Sequence, residues 1–233
     1  MNIFNFLYIK TPKTASELIK RYLRLYGDDA GLKRNSNSLG KFFENKDFGY
    51  SAEHIMMTPK VVKHFYSSNN KNYSSLILTS IREPLDRMVS HYYFSNLNRN
   101  QMTFDEWYYD YYHENLKKLK FGWKPYETMG DREPAHFDID NYQLNYIGVH
   151  NPTDVFQLYD FIFVSEKVEQ QVTLFEKVLD YQIQRYQGEK LINHNKNYPD
   201  VIKVSQEIKD LFRESNQRDY DHYDFVNQTY FGE

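Results

Sequence analysis

The chain has 233 residues, 40% of them hydrophobic, and a formal net charge of −3 from 29 Lys+Arg against 32 Asp+Glu. That length and apolar content suffice for one domain with a sizeable core. The near-neutral balance argues against a general nucleic-acid binder, so any anion site must come from local clustering of cations. Cysteine is absent, which excludes disulfides and thiolate metal centres and suits a reducing compartment.

Residues 3–9 form a continuous apolar run broken only by Asn5, as expected for a strand covered on both faces. The run is too short and interrupted for a signal peptide or membrane span, so a cytoplasmic protein without membrane association is expected. Next come Lys10, Thr11, Pro12, Lys13, Thr14, Ala15 and Ser16, a basic, hydroxyl-bearing turn leading into a helix. The stripe Ala15, Leu18, Ile19, Tyr22, Leu23, Tyr26 follows helical spacing, and Gly27 is its expected end. Residues 28–50 are polar and read as a surface loop. Residues 57–66 read as a short helix with Thr58 as N-cap and Pro59 at the first helical position.

A second buried strand is expected over residues 75–81, followed by a helix opening at Pro84. Its stripe is Leu85, Met88, Val89 and Tyr92, while Arg87 and Ser90 share the opposite face. Helices are expected over residues 104–119, 139–147, 168–179, 205–215 and 219–226, a third strand over 160–164, and loops over 121–137 and 188–200. Most of the 22 tyrosines read as half-buried packing residues; the aromatic run from Trp107 to Tyr112 fits a core segment or a sugar-stacking wall. Strand–helix alternation implies an α/β fold with a parallel sheet flanked by helices. Ligands bind such sheets beyond the carboxyl ends of the strands, where Lys10–Ser16, Arg82–Ser90 and Ser165–Glu166 all fall.

Lys13 can place an ammonium on a phosphate or sulfate oxygen, Thr14 and Ser16 can offer hydroxyls, and the N–H groups of the helix start complete a cradle. The glycines of a Walker loop are missing. A plain capping box between Thr14 and Glu17 is the structural alternative. In the second segment Arg82, Arg87 and Ser90 bring two guanidiniums and a hydroxyl near a helix N-terminus, a good phosphate clamp. The alternative there is a surface salt-bridge patch with Glu83 and Asp86.

Pro-Lys-Thr-Ala-Ser at residues 12–16 and Arg-x-x-Pro-x-x-Arg-x-x-Ser-x-Tyr at residues 82–92 resemble the two nucleotide-binding motifs of sulfotransferases. The form is closest to carbohydrate sulfotransferases of the heparan 2-O type and their bacterial and viral relatives. Residues 142–147 and 160–166 resemble later segments of that family. The resemblance implies a three-layer P-loop-like fold, one sulfotransferase domain over residues 1–233, and the donor 3′-phosphoadenosine 5′-phosphosulfate. It assigns Lys13, Thr14, Ala15 and Ser16 to the 5′-phosphosulfate and Arg82 and Ser90 to the 3′-phosphate. The sequence departs from the pattern at Glu17, where the family usually has Ser or Thr.

An acceptor hydroxyl needs a base. The resemblance points to His54, with Glu53 beside it as the other choice; His91 is a third. Histidine titrates in a range suited to that task. No metal site is expected: His113-Glu114 lacks a second histidine, and His136, Asp138 and Asp140 read equally as a loop. Lys190, His194, Asn195 and Lys196 could form a late closing loop or a solvated one. The acceptor is expected to be a carbohydrate or a small molecule, such as a phenol. Two rivals remain, a nucleoside or small-molecule kinase with an irregular phosphate loop and a non-catalytic binding module on the same fold.

Overall fold

In the computed structural model, which describes residues 4–34, 49–53, 74–94, 102–113, 140–183 and 203–232, the N-terminal apolar run forms β1 (Phe4–Ile9) at the centre of the sheet. Helix α1 (Ser16–Asp29) follows. Strands β2 (Lys33–Arg34), β3 (Gly49–Glu53) and β4 (Ser74–Ile81) precede helices α2 (Pro84–Phe94) and α3 (Phe104–His113). Helix α4 (Tyr142–Ile147), a 3-10 turn at Pro152–Asp154 and α5 (Val155–Leu158) lead into β5 (Phe161–Val164). A second 3-10 turn, Ser165–Lys167, and α6 (Val168–Leu179) follow it. Helices α7 (Gln206–Ser215) and α8 (Gln217–Phe231) complete the described chain.

The sheet has the order β2-β3-β1-β4-β5, and every pairing is parallel. The central strands alternate between two buried faces, as a doubly covered parallel sheet requires. Phe6, Tyr8, Leu76, Leu78, Phe161 and Phe163 pack with Ile19, Leu23 and Tyr26 of α1 and Val172 and Phe175 of α6. Leu7, Ile9, Ile77, Ile81, Ile162 and Val164 pack on the other side with Leu144 and Ile147 of α4, Val155 of α5 and Val226 of α8. The result is the expected three-layer α/β arrangement. A further cluster joins Met88 and Tyr92 of α2, Phe104, Trp107 and Tyr108 of α3, and Ile208 and Phe212 of α7. Within the aromatic run, Trp107 and Tyr108 are therefore core residues, 6% and 0% exposed, whereas Tyr109 is 46% exposed.

Three sequence expectations need correction. Residues 28–50 are not one loop: they contain β2 and the start of β3. Gly-Tyr-Ser-Ala-Glu has no apolar run to announce a strand; pairing with β1 on one side and β2 on the other makes it one. Gly27 does not end α1 but is buried inside it. The helix closes at Gly31, φ 68°, where Gly31 N–H donates to Asp28 O and Leu32 N–H to Gly27 O; a left-handed glycine just past the end satisfies the last carbonyls. The C-terminal helix begins earlier and runs later than expected, over Gln217–Phe231, because Tyr220 and Tyr230 pack on different clusters at its two ends. Boundaries elsewhere move by a few residues. The helix expected over residues 57–66, residues 114–119 of the helix expected over 104–119, and the loops over 121–137 and 188–200 lie outside the described residues.

Candidate functional site

The first loop leaves the end of β1 and reverses sharply. Lys13 and Ala15 take left-handed backbone angles, φ 67° and 51°, a conformation that costs a non-glycine residue about 1–2 kcal/mol. Reversals of this kind let neighbouring N–H groups converge on an anion. A buried chain of hydroxyls holds the strained turn in place. Thr14 Oγ1 donates to Thr11 O at 2.7 Å, so it accepts from Ser80 Oγ at 2.6 Å; Ser80 in turn meets the Tyr8 hydroxyl at 2.7 Å. Thr79 Oγ1 donates to Ile9 O at 3.1 Å and lies 3.4 Å from Thr11 Oγ1. Bonds in such a chain polarise one another. The Thr14 hydroxyl is thus spent on architecture, and its N–H is the group left to offer a ligand. The capping box is absent: α1 has Ala15 as N-cap with no side-chain cap.

Glu17 is turned to Lys10, whose Nζ lies 2.6 Å from Glu17 Oε1, and to Lys20 at 3.4 Å. Burial raises the Glu17 carboxyl, but Lys10 and Lys20 together hold it below the usual range. Lys10 is only 5% exposed, so this pair neutralises a buried cation at the root of the loop.

The second loop leaves β4, the neighbour of β1. Glu83 caps the first turn of α2 by accepting from Asp86 N–H at 2.6 Å. The Arg82 guanidinium lies 3.7 Å from Glu166 and 4.0 Å from Asp86, so the surface-patch alternative describes Arg82 in part. It does not describe Arg87. That residue is 2% exposed, its guanidinium lies 4.2 Å from the centre of the Tyr142 ring, and its Nε and Nη1 have no hydrogen-bond partner among the described residues. Ser90, 6% exposed, follows three residues on. His91 stacks on Tyr142 at 6.5 Å.

The two loops meet. Burial lowers the Lys13 ammonium pKa, and the charge of Arg82 lowers it further. His91 feels both Arg87 and Lys13. Parallel pairing of β1 with β4 sets both loops at the same end of the sheet, and the Thr14–Ser80 bond ties the first loop to the strand that carries the second. The family model for the sulfotransferase family matches residues 3–226, a span that contains both loops. The chain belongs to the sulfotransferase family. A search of curated proteins finds no match.

In this sulfotransferase the base candidates are placed unequally. Glu53 ends β3 in register with Ile9, at the same sheet edge as the two loops. His54 lies outside the described residues, as do Lys190, His194, Asn195 and Lys196. His91 is pushed down to about 3, first by burial and then by Arg87 and Lys13, which makes it a weak base near neutral pH. Among the described residues no group of three His, Asp or Glu could hold a metal ion, and no helix is long and apolar enough to cross a membrane. Sequence patterning does not single out Tyr142, whose ring lies against Arg87, or Gln143, which pairs with the main chain of Arg82; only the resemblance of residues 142–147 points to their segment.

The neutral His91 carries a pH consequence. Its folded value lies below that of an unfolded histidine, about 6.5, so the unfolded chain takes up the proton first. The stability it contributes is complete above about pH 6.5 and is lost as pH falls from there toward 3. His91→Gln is expected to flatten the pH dependence of the denaturant midpoint between about pH 6.5 and 4. An unchanged slope would contradict the neutral, buried state.

Proposed function

We propose that this sulfotransferase moves a sulfuryl group from 3′-phosphoadenosine 5′-phosphosulfate to a hydroxyl of a carbohydrate or of a small molecule such as a phenol. The observation that carries the reading is the convergence of Lys13 and Arg82 beside Arg87, a buried guanidinium whose Nε and Nη1 lack partners among the described residues. Buried cations of this kind are costly until an anion arrives, and a nucleotide phosphorylated at both ends is an anion of matching form. The residues present fit it. Lys13, the N–H groups of Thr14 and Ala15, and Ser16 would hold the 5′-phosphosulfate; Arg82, Arg87 and Ser90 would hold the 3′-phosphate.

The nucleotide supplies a sulfuryl group on an activated anhydride. The protein's part is to position it and to stabilise negative charge, since the transfer resembles phosphoryl transfer in its demands. Lys13 is suited to the leaving oxygen, and its burial strengthens that interaction. His54 or Glu53 would accept the proton of the acceptor hydroxyl. Glu17, the residue that favoured a non-catalytic module, points to Lys10 and is no obstacle to an anion at Lys13. The working unit in this reading is one domain over residues 1–233, cytoplasmic, with no nucleic acid or membrane partner.

Isothermal titration with 3′-phosphoadenosine 5′-phosphate tests the reading. Binding is expected, with 5′-AMP at least about tenfold weaker because it lacks the group that Arg82 and Ser90 would hold. Arg82→Ala is expected to cost about tenfold to a hundredfold in affinity for the bisphosphate. Failure of the wild-type chain to bind it at near-millimolar concentration would remove the proposal.

A further inference from the structure

We infer that Gln143 is a positioning residue for the second anion loop, acting through the main chain of Arg82. Its carboxamide forms a reciprocal pair with one residue. Gln143 Oε1 accepts from Arg82 N–H at 2.9 Å, and Gln143 Nε2 donates to Arg82 O at 2.8 Å. The pair mimics one rung of a sheet ladder. It stands where the ladder stops, since Ile81↔Val164 is the last matched pair between β4 and β5. The orientation of the amide follows from its partners: flipped, it would set donor against donor and acceptor against acceptor. Gln143 is 0% exposed, so water does not compete for either group.

The clamp stands on a fixed base. Asp219, 1% exposed, accepts from the N–H groups of Gln143 and Leu144, both at 2.9 Å. Just before α4, Asn141 N–H donates to Asn216 Oδ1 at 2.8 Å, and Asn141 Oδ1 accepts from Asp219 N–H at 3.1 Å. The start of α4 is thereby joined to the junction of α7 and α8. Gln143 carries that rigidity across to Arg82, whose charge acts on Lys13. Misplacing such a group by about 1 Å is enough to lose much of its effect.

The inference rests on the proposed nucleotide reading, and the experiment separates the two. Affinities for 3′-phosphoadenosine 5′-phosphate and for 5′-AMP are measured by titration for wild type, Gln143→Met and Gln143→Glu, alongside thermal midpoints. Gln143→Met keeps the length and removes both bonds. It is expected to lose about tenfold or more in affinity for the bisphosphate, with little change toward 5′-AMP, so that the preference for the 3′-phosphate shrinks. Gln143→Glu reproduces donor and acceptor only as a neutral acid. Its affinity, taken relative to wild type at each pH, is expected to recover as pH falls from about 8 to 5, toward the range where a carboxyl is neutral. This variant also decides the matter if Gln143→Met does not fold.

If a folded Gln143→Met keeps the full preference for the bisphosphate, or if Gln143→Glu shows no acid-side recovery, the residue only supports the fold and the inference is overturned. If the wild type binds neither nucleotide, the nucleotide reading fails and this inference with it. A wild type that binds while the variants bind equally well leaves the nucleotide reading intact and removes the clamp.

Discussion

Lys13→Ala is expected to remove sulfuryl transfer while leaving the protein folded. The side chain is only partly buried, and its ammonium pKa is lowered by burial and by Arg82, so the folded chain pays to keep this charge where it is. Its removal relieves repulsion in the free protein and, in the proposed reading, withdraws the cation from the leaving oxygen. Loss of one preorganised charge at such a position costs about a hundredfold to a thousandfold in rate. Affinity for 3′-phosphoadenosine 5′-phosphate is expected to change much less, because Arg82, Arg87 and Ser90 remain. Release of that product from the phosphosulfate donor, followed with and without a panel of hydroxyl acceptors, gives the rate; titration gives the affinity. A Lys13→Ala protein with wild-type turnover would remove Lys13 from the chemistry.

Arg87→Met is expected to separate stability from binding. The guanidinium is buried, and its Nη2 donates to a sulfur, Met88 Sδ, at 3.6 Å. It also lies over the Tyr142 ring, and the buried Asp219 carboxylate offsets part of the penalty. A buried charge whose Nε and Nη1 lack hydrogen-bond partners among the described residues is costly to keep, and an apolar side chain of similar length removes that cost. The free variant is therefore expected to melt at or above the wild-type temperature. At the same time affinity for the bisphosphate is expected to fall by about tenfold to a hundredfold, and the thermal shift produced by the nucleotide to shrink with it. Lower stability with unchanged affinity would make Arg87 a structural residue whose partner is Tyr142.

The site was legible in part because its two loops follow the same local grammar. An apolar strand ends, a basic turn follows, and a helix starts; each step rests on residues close in sequence, such as Ile9 to Ser16 or Ile81 to Ser90. The apolar runs and the 3.6-residue spacing expose β1, β4, β5, α1 and α6 for the same reason. Strand β3 left no such trace, since Gly-Tyr-Ser-Ala-Glu becomes a strand only through its neighbours. Glu17 looked hostile to an anion because its partner, Lys10, sits across the loop at |i−j| = 7, outside any helical spacing.

Local chemistry written along the chain therefore specified the strands, the helix starts and the cations that could meet an anion. Sheet order specified the rest: with β4 beside β1, Lys13 and Arg82 share one edge, and with α4 packed under α2, Tyr142 and Gln143 reach Arg87 and Arg82. Periodicity encodes which face of an element is apolar, whereas the pairing of Arg82 with Gln143 spans 61 residues and exists only once the core has closed around both.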